Sequence, residues 1–258
     1  MIKKLIILKL VIFVLLFNSC ATKKDLLYLQ DVNNYGSTPI DYLSNTIQPN
    51  DILSITISAL LPEMALAYNK QSGLNISSNQ NNIETLKLQG YLVNLEGNIT
   101  LPILGNIHVI GKSINRLETE LVNILQKGEH LNNPSVSVRI LNAKVTILGE
   151  VKNPGTFSFT EQFITLPQAL GYAGDLTING KRNDMLIIRE IDGIRRVSHV
   201  DLTSSNWMND SRYTIKPNDV IIVNPNKAKI KTAGYIGNAS TLLSIASVLL
   251  SSIILLTR

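Results

Sequence analysis

Gly149-Glu150-Val151-Lys152-Asn153-Pro154-Gly155-Thr156-Phe157 is the stretch on which the reading of this chain turns. Val145, Ile147 and Leu148 lead into it, and Phe157 and Phe159 alternate after it. Asn153-Pro154-Gly155 reads as a turn between them, with Pro154 and Gly155 suited to its two central positions. Further on, residues 166–172 predict a short helix that Gly174 can stop in the left-handed conformation. Residues 185–189 predict a strand, which Asp192-Gly193 joins to 194–200 as a hairpin. These elements define a β-rich unit over residues 143–226.

The end of that unit echoes the start of another. Ile215-Lys216-Pro217-Asn218-Asp219-Val220 repeats the pattern of Ile47-Gln48-Pro49-Asn50-Asp51-Ile52. Both place a Pro-Asn-Asp turn before an apolar strand. Six positions do not establish a repeat, because this is also a common way to begin a strand. The first unit spans residues 46–141. Ile52, Ile55 and Ile57 mark its opening β-run, and residues 70–82 read as a polar loop. Short strands follow over 99–110. Ser113 caps a predicted helix that runs to Lys127, with Ile114, Leu117, Leu121, Ile124 and Leu125 on one face and Gly128 at its end. Val136, Val138 and Ile140 then share one face of a strand over 135–141.

Both ends of the chain carry membrane signals. Residues 1–19 have a basic start and a short apolar core closed by Asn18-Ser19, directly before Cys20. That is the pattern of a lipoprotein signal peptide, with Cys20 as the lipidated residue. The alternatives are an uncleaved anchor or an ordinary signal peptide. Residues 20–45 read as a lipidated N-terminus and tether. Residues 235–258 read as a C-terminal transmembrane helix of about 20 residues. In it Ser240, Ser244, Ser247 and Ser251 form one stripe, suited to helix packing or to lining a pore.

Composition narrows the function. Of the 24 basic residues, Lys3, Lys4 and Lys9 lie in the leader, so the mature chain holds 21 against 19 acidic ones. A balance near zero gives no argument for nucleic acid. The single cysteine rules out an internal disulfide. His108, His130 and His199 are far apart, without metal-ligand spacing, and no phosphate loop or nucleophile signature appears. No cofactor, metal site or catalytic residue is expected.

Together these residues resemble the outer-membrane polysaccharide export proteins of the Wza type. In the first unit the resemblance rests on Ile47 to Asp51, on Gly97-Asn98-Ile99-Thr100-Leu101-Pro102-Ile103-Leu104-Gly105, on the helix after Gly111-Lys112-Ser113, and on Asn133-Pro134-Ser135-Val136. In the second unit it rests on Gly149 to Phe157, Gln168 to Gly174, and Lys216 to Val220, which resemble an SLBB domain. The resemblance implies an α+β chain: a β-rich polysaccharide export domain, one β-grasp-like SLBB domain and a C-terminal membrane helix. It further implies an outer-membrane lipoprotein, mostly periplasmic, that forms a homo-oligomeric ring with a helical pore. An inner-membrane copolymerase would feed capsular or exopolysaccharide into that ring. With one SLBB unit where longer members carry two, the periplasmic ring is expected to be shorter. Two other functions compete: a lipid-anchored module that binds glycan or copolymerase without forming a channel, and a periplasmic enzyme acting on the glycan.

Overall fold

The computed structural model describes residues 26–36, 45–70, 83–191 and 193–233, with helical positions at 243–245, 247–248, 251–252 and 255. The first unit is built on β1 (Ile52–Ser58), in which Leu53, Ile55 and Ile57 point into the core. Two short helices follow, α1 (Pro62–Leu66) and α2 (Ile83–Gln89). Then come β2 (Tyr91–Leu92), β3 (Asn98–Leu101), β4 (Gly105–His108), α3 (Ile114–Lys127) and β5 (Ser135–Ile140). Strand β1 pairs antiparallel with β2 on one side and β5 on the other, while β3 and β4 form a separate hairpin.

Helix α3 packs on β5 through the face that the apolar spacing marks out. Ile114, Leu117, Leu121 and Leu125 are buried and Ile124 is half-buried. Each buried leucine contributes about 2 kcal/mol of transfer free energy. Ser113 caps the helix by accepting the Arg116 N–H at 3.3 Å. At the other end, Gly128 stays at φ −77° and the left-handed residue is Glu129, at φ 57°. His130 and Leu131 then both donate their N–H to the Leu125 carbonyl, which closes the end.

The second unit contains β6 (Lys144–Gly149), β7 (Gly155–Ser158), β8 (Ile164–Thr165), α4 (Leu166–Tyr172), β9 (Met185–Ile191), β10 (Ile194–Val200), β11 (Thr214–Ile215) and β12 (Val220–Val223). Five strands form one sheet in the order β10-β9-β12-β6-β7, with β12 and β6 parallel at its centre. Strands β8 and β11 pair apart from it. The predicted helix over 166–172 is α4. A capping box sets its start: Thr165 and Gln168 each bond the other's backbone N–H. Gly174, at φ 73°, stops it. Gly193, at the same φ, turns the β9–β10 hairpin as expected. Val145, Ile147, Leu166, Met185, Trp207 and Ile221 lie in this unit's core.

Residues 26–36 run along the second unit. Leu29 and Gln30 donate their N–H groups to the carbonyls of Leu202 (3.1 Å) and Thr203 (2.7 Å). The Tyr28 hydroxyl donates to Asp175 at 2.7 Å, and its ring lies 5.3 Å below the Arg182 guanidinium. Burial, then the bond to the Asp175 carboxylate, pushes the Tyr28 phenol up from its ordinary value. The Tyr35 hydroxyl donates to Asn209. This stretch is a strap on the second unit as well as a connection.

The expected C-terminal membrane helix is not borne out. Among the described residues, no helix is long and apolar enough to cross a membrane. Helix α5 (Lys227–Ala233) has seven residues, or about 10 Å of rise, and carries three lysines. A span needs about 20 apolar residues across roughly 30 Å. The α+β character of the rest of the chain stands.

Candidate functional site

The two Pro-Asn-Asp sequences fold into the same turn. Asn50 and Asn218 take φ of 68° and 67°, as the third position of a type II turn requires. The N–H groups of Asp51 and Asp219 each donate to the carbonyl three residues back, at 3.2 Å. Each carboxylate then folds over to accept the N–H of that residue, Gln48 or Lys216, at 2.8 Å. Both aspartates are buried, at 3% and 1% exposure. The turns also meet, since the Asn218 amide donates to the Gln48 side chain at 3.3 Å. Asn142, between β5 and β6, accepts the Ile52 N–H and donates to the Asn50 carbonyl, at 2.9 and 2.8 Å. The junction of the two units is therefore built around the repeated turn.

The copies differ in charge. Arg189 forks onto Asp219 with contacts at 2.7 and 2.9 Å, whereas no described cation pairs with Asp51. Burial, opposed only by the Gln48 N–H, pushes the Asp51 carboxyl up to about 6. A raised carboxyl pKa means that the folded state holds the proton more tightly than the unfolded chain. Its stabilising contribution is full below pH 4 and is lost as pH rises through 6. Asp51→Asn keeps an oxygen for the Gln48 N–H and removes the charge. We expect its stability relative to the unmodified chain to improve by about 2 kcal/mol between pH 4 and pH 7.5. Urea unfolding at the two pH values measures this, and an equal difference at both would refute it.

The stretch Gly149 to Phe157 forms an elbow between β6 and β7. Gly149, at φ 91°, lies against β12, and Glu150 donates its N–H to the Val223 carbonyl at 2.9 Å. The expected turn with Pro154 and Gly155 at its centre does not form. Gly155 is outside the left-handed region and opens β7. The chain reverses at Lys152 and Asn153, whose N–H groups bond the Asp175 and Ala173 carbonyls beyond α4, at 3.1 and 2.9 Å. Attachment to the helix end outweighs the local turn preference of Asn-Pro-Gly.

An open groove of about 640 Å³ lies on the first unit, lined in part by Lys70, Lys87, Tyr91 and Pro102. Among the described residues, no carboxylate, imidazole or thiol lines it. His130 meets Tyr68 at 3.3 Å, His108 meets Asn98 at 2.9 Å, and His199 bonds Asp184 at 2.6 Å on an open surface. That bond, followed by the one from Lys181, holds the Asp184 carboxyl below its ordinary range. Among the described residues no three His, Cys, Asp or Glu side chains are placed to hold a metal.

Cys20 and Ser240 lie outside the described residues. Ser244, Ser247 and Ser251 are helical and exposed. The hydroxyls of Ser247 and Ser251 donate to the carbonyls of Leu243 and Ser247, each at 2.8 Å, so they are satisfied four residues back along their own backbone. The structure does not bring these serines together with the junction or the elbow.

The two units carry the signatures of known families. Residues 42–141 match the family described as Polysaccharide biosynthesis/export protein, and residues 144–195 match the SLBB domain. The chain therefore carries a polysaccharide biosynthesis/export domain followed by an SLBB domain, an arrangement similar to that of the Wza-type export proteins. Two curated relatives bear the name EPS I polysaccharide export outer membrane protein EpsA. The one from Ralstonia solanacearum is 26% identical over 204 residues, covering 76% of this chain and 52% of the relative. The one from Ralstonia nicotianae (strain ATCC BAA-1114 / GMI1000) is 27% identical over 161 residues, covering 60% and 41%. The chain thus spans about half the length of the curated relatives it matches.

Proposed function

We propose that this chain is a component of outer-membrane polysaccharide export, without chemistry of its own. Cys20 anchors it by lipid, and the bulk of the chain stands in the periplasm as a homo-oligomeric ring. The ring receives capsular or exopolysaccharide from an inner-membrane copolymerase. The observation that carries this reading is the match of both units, in chain order, to the export and SLBB families. The name shared by the two relatives supports the same compartment and cargo.

Deleting the gene is expected to abolish extracellular polysaccharide, and the intact chain supplied in trans to restore it. Unchanged polysaccharide in the deletion strain would end the export reading. Mass photometry of the detergent-extracted protein tests the ring. A monomer at every concentration would favour the tethered binding module instead. Cys20→Ser is expected to lose labelling by palmitate, and persistent labelling would sink the assignment of the lipid to that residue.

A further inference from the structure

Helix α4 ends on Tyr172, a residue that is 40% exposed. Its ring lies nearly parallel to that of Phe157, with 6.2 Å between centroids and 22° between planes. Phe157 comes from β7 and is half-buried against the second unit's core. With Tyr172 exposed and Phe157 half-buried, the pair is partly open to solvent.

The elbow lies alongside. Bonds from Lys152 and Asn153 to the backbone beyond α4 hold it there. Gly174 makes room for it, since a Cβ at that position would lie 3.0 Å from the Asn153 amide nitrogen and 3.2 Å from the Lys152 Cβ. Gly155 likewise leaves the Phe157 ring edge clear, with the ring's Cζ 3.8 Å from where a Cβ would stand. The Asn153 amide, the Lys152 ammonium and the Tyr172 hydroxyl make no hydrogen bond to another described residue. A partly open aromatic pair thus stands next to the helix end at Gly174, where the exposed side chains of Lys152 and Asn153 lie with hydrogen-bonding capacity to spare.

A flat ligand with an apolar face and polar edges fits this surface, and a pyranose ring has that form. Its axial C–H groups present an apolar, slightly positive face to the negative face of an aromatic ring. Its hydroxyls point outward, toward donors and acceptors at the rim. We propose that Phe157 and Tyr172, with Lys152 and Asn153, form a stacking platform for a sugar unit of the exported polysaccharide. The identity of the ligand rests on the export reading; the site rests on the geometry.

The test uses the full-length chain in detergent, with fragments of the source strain's own extracellular polysaccharide as the probe. Calorimetric titration is expected to show binding that Tyr172→Ala weakens about tenfold. Tyr172→Phe keeps the ring and is expected to bind within about threefold of the unmodified chain. All three proteins should remain folded, with Tyr172→Ala melting only a few degrees lower for the loss of its contact with Phe157. Equal binding by Tyr172→Ala, or no binding by the unmodified chain, would overturn the platform. The deletion strain separates the two readings. If deletion stops export but the fragments do not bind, the platform fails and the export role stands. If deletion leaves export intact, the export role fails and the sugar loses its assignment.

Discussion

Replacing Arg189 with methionine is expected to cost about 3–5 kcal/mol of folding stability at neutral pH. Arg189 is 11% exposed and Asp219 only 1%, so the pair is almost wholly out of water. The guanidinium also donates to the carbonyls of Thr214 and Ser211, at 2.7 and 3.3 Å. Methionine fills a similar volume but leaves the carboxylate buried without its cation. Burial already raises the Asp219 carboxyl, and Arg189 is the chief group acting against that rise. In the variant the carboxyl takes up a proton more readily, so acidification should return part of the loss. The double variant Arg189→Met, Asp219→Asn should recover most of it, because no charge then remains buried. Chemical unfolding of the three proteins decides the matter. A single variant as stable as the unmodified chain would show that the pair does not hold the second turn.

Gly149→Ala is expected to lose about 3–5 kcal/mol through a different cause, combining a left-handed backbone with overpacking. A Cβ at Gly149 would stand 2.1 Å from the Val223 carbonyl oxygen and 3.0 Å from its carbon. Both are backbone atoms of β12, so no side-chain rotation relieves the clash. The register pairs Gly149 with Val223 at the end of the parallel β6–β12 ladder. Inserting the methyl group must push that end apart and break the Glu150 bond to Val223. Alanine at Gly155 makes a useful control, because that φ is ordinary and the nearest atom is 3.8 Å away. Thermal melts should separate the two substitutions widely, and similar melting temperatures would contradict the close approach.

Local signals were legible in proportion to how much of their cause is local. The period of α3, the helix over 166–172 and the glycine in the β9–β10 hairpin depend on neighbours within a turn or two. The Asn-Pro-Gly elbow was misread because its conformation depends on carbonyls 20 residues or more away, at the end of α4. Helices α1 and α2 went unforeseen because each is too short to show a period, although Leu61-Pro62-Glu63 offered proline and an acid for a first turn. At the C-terminus a run of apolar residues suggested a span, but among the described residues no helix reaches the required length.

The junction shows the same limit more sharply. The echo of Pro-Asn-Asp was visible in the letters. That both aspartates are buried, and that only one has a cation, was not. Arg189 is 30 residues from Asp219 and reaches it because β9 and β12 are neighbours in the sheet. Phe157 and Tyr172 are brought together in the same way, one on a strand and one at a helix end. Pairs of this kind belong to topology, and residue spacing along the chain does not encode them.

The strap of residues 26–36 sets a mooring length. Eight residues separate Cys20 from Tyr28, and fully extended they reach at most about 28 Å. With the lipid on Cys20, the second unit must ride within that distance of the bilayer surface. Were the strap released from Leu202, Thr203 and Asp175, the next described residue after it would be Asn45. The upper limit on the reach from Cys20 to that residue is about 85 Å, three times the strapped distance. With that lipid in place, a few hydrogen bonds and one partly exposed tyrosine decide which end of the molecule lies against the membrane.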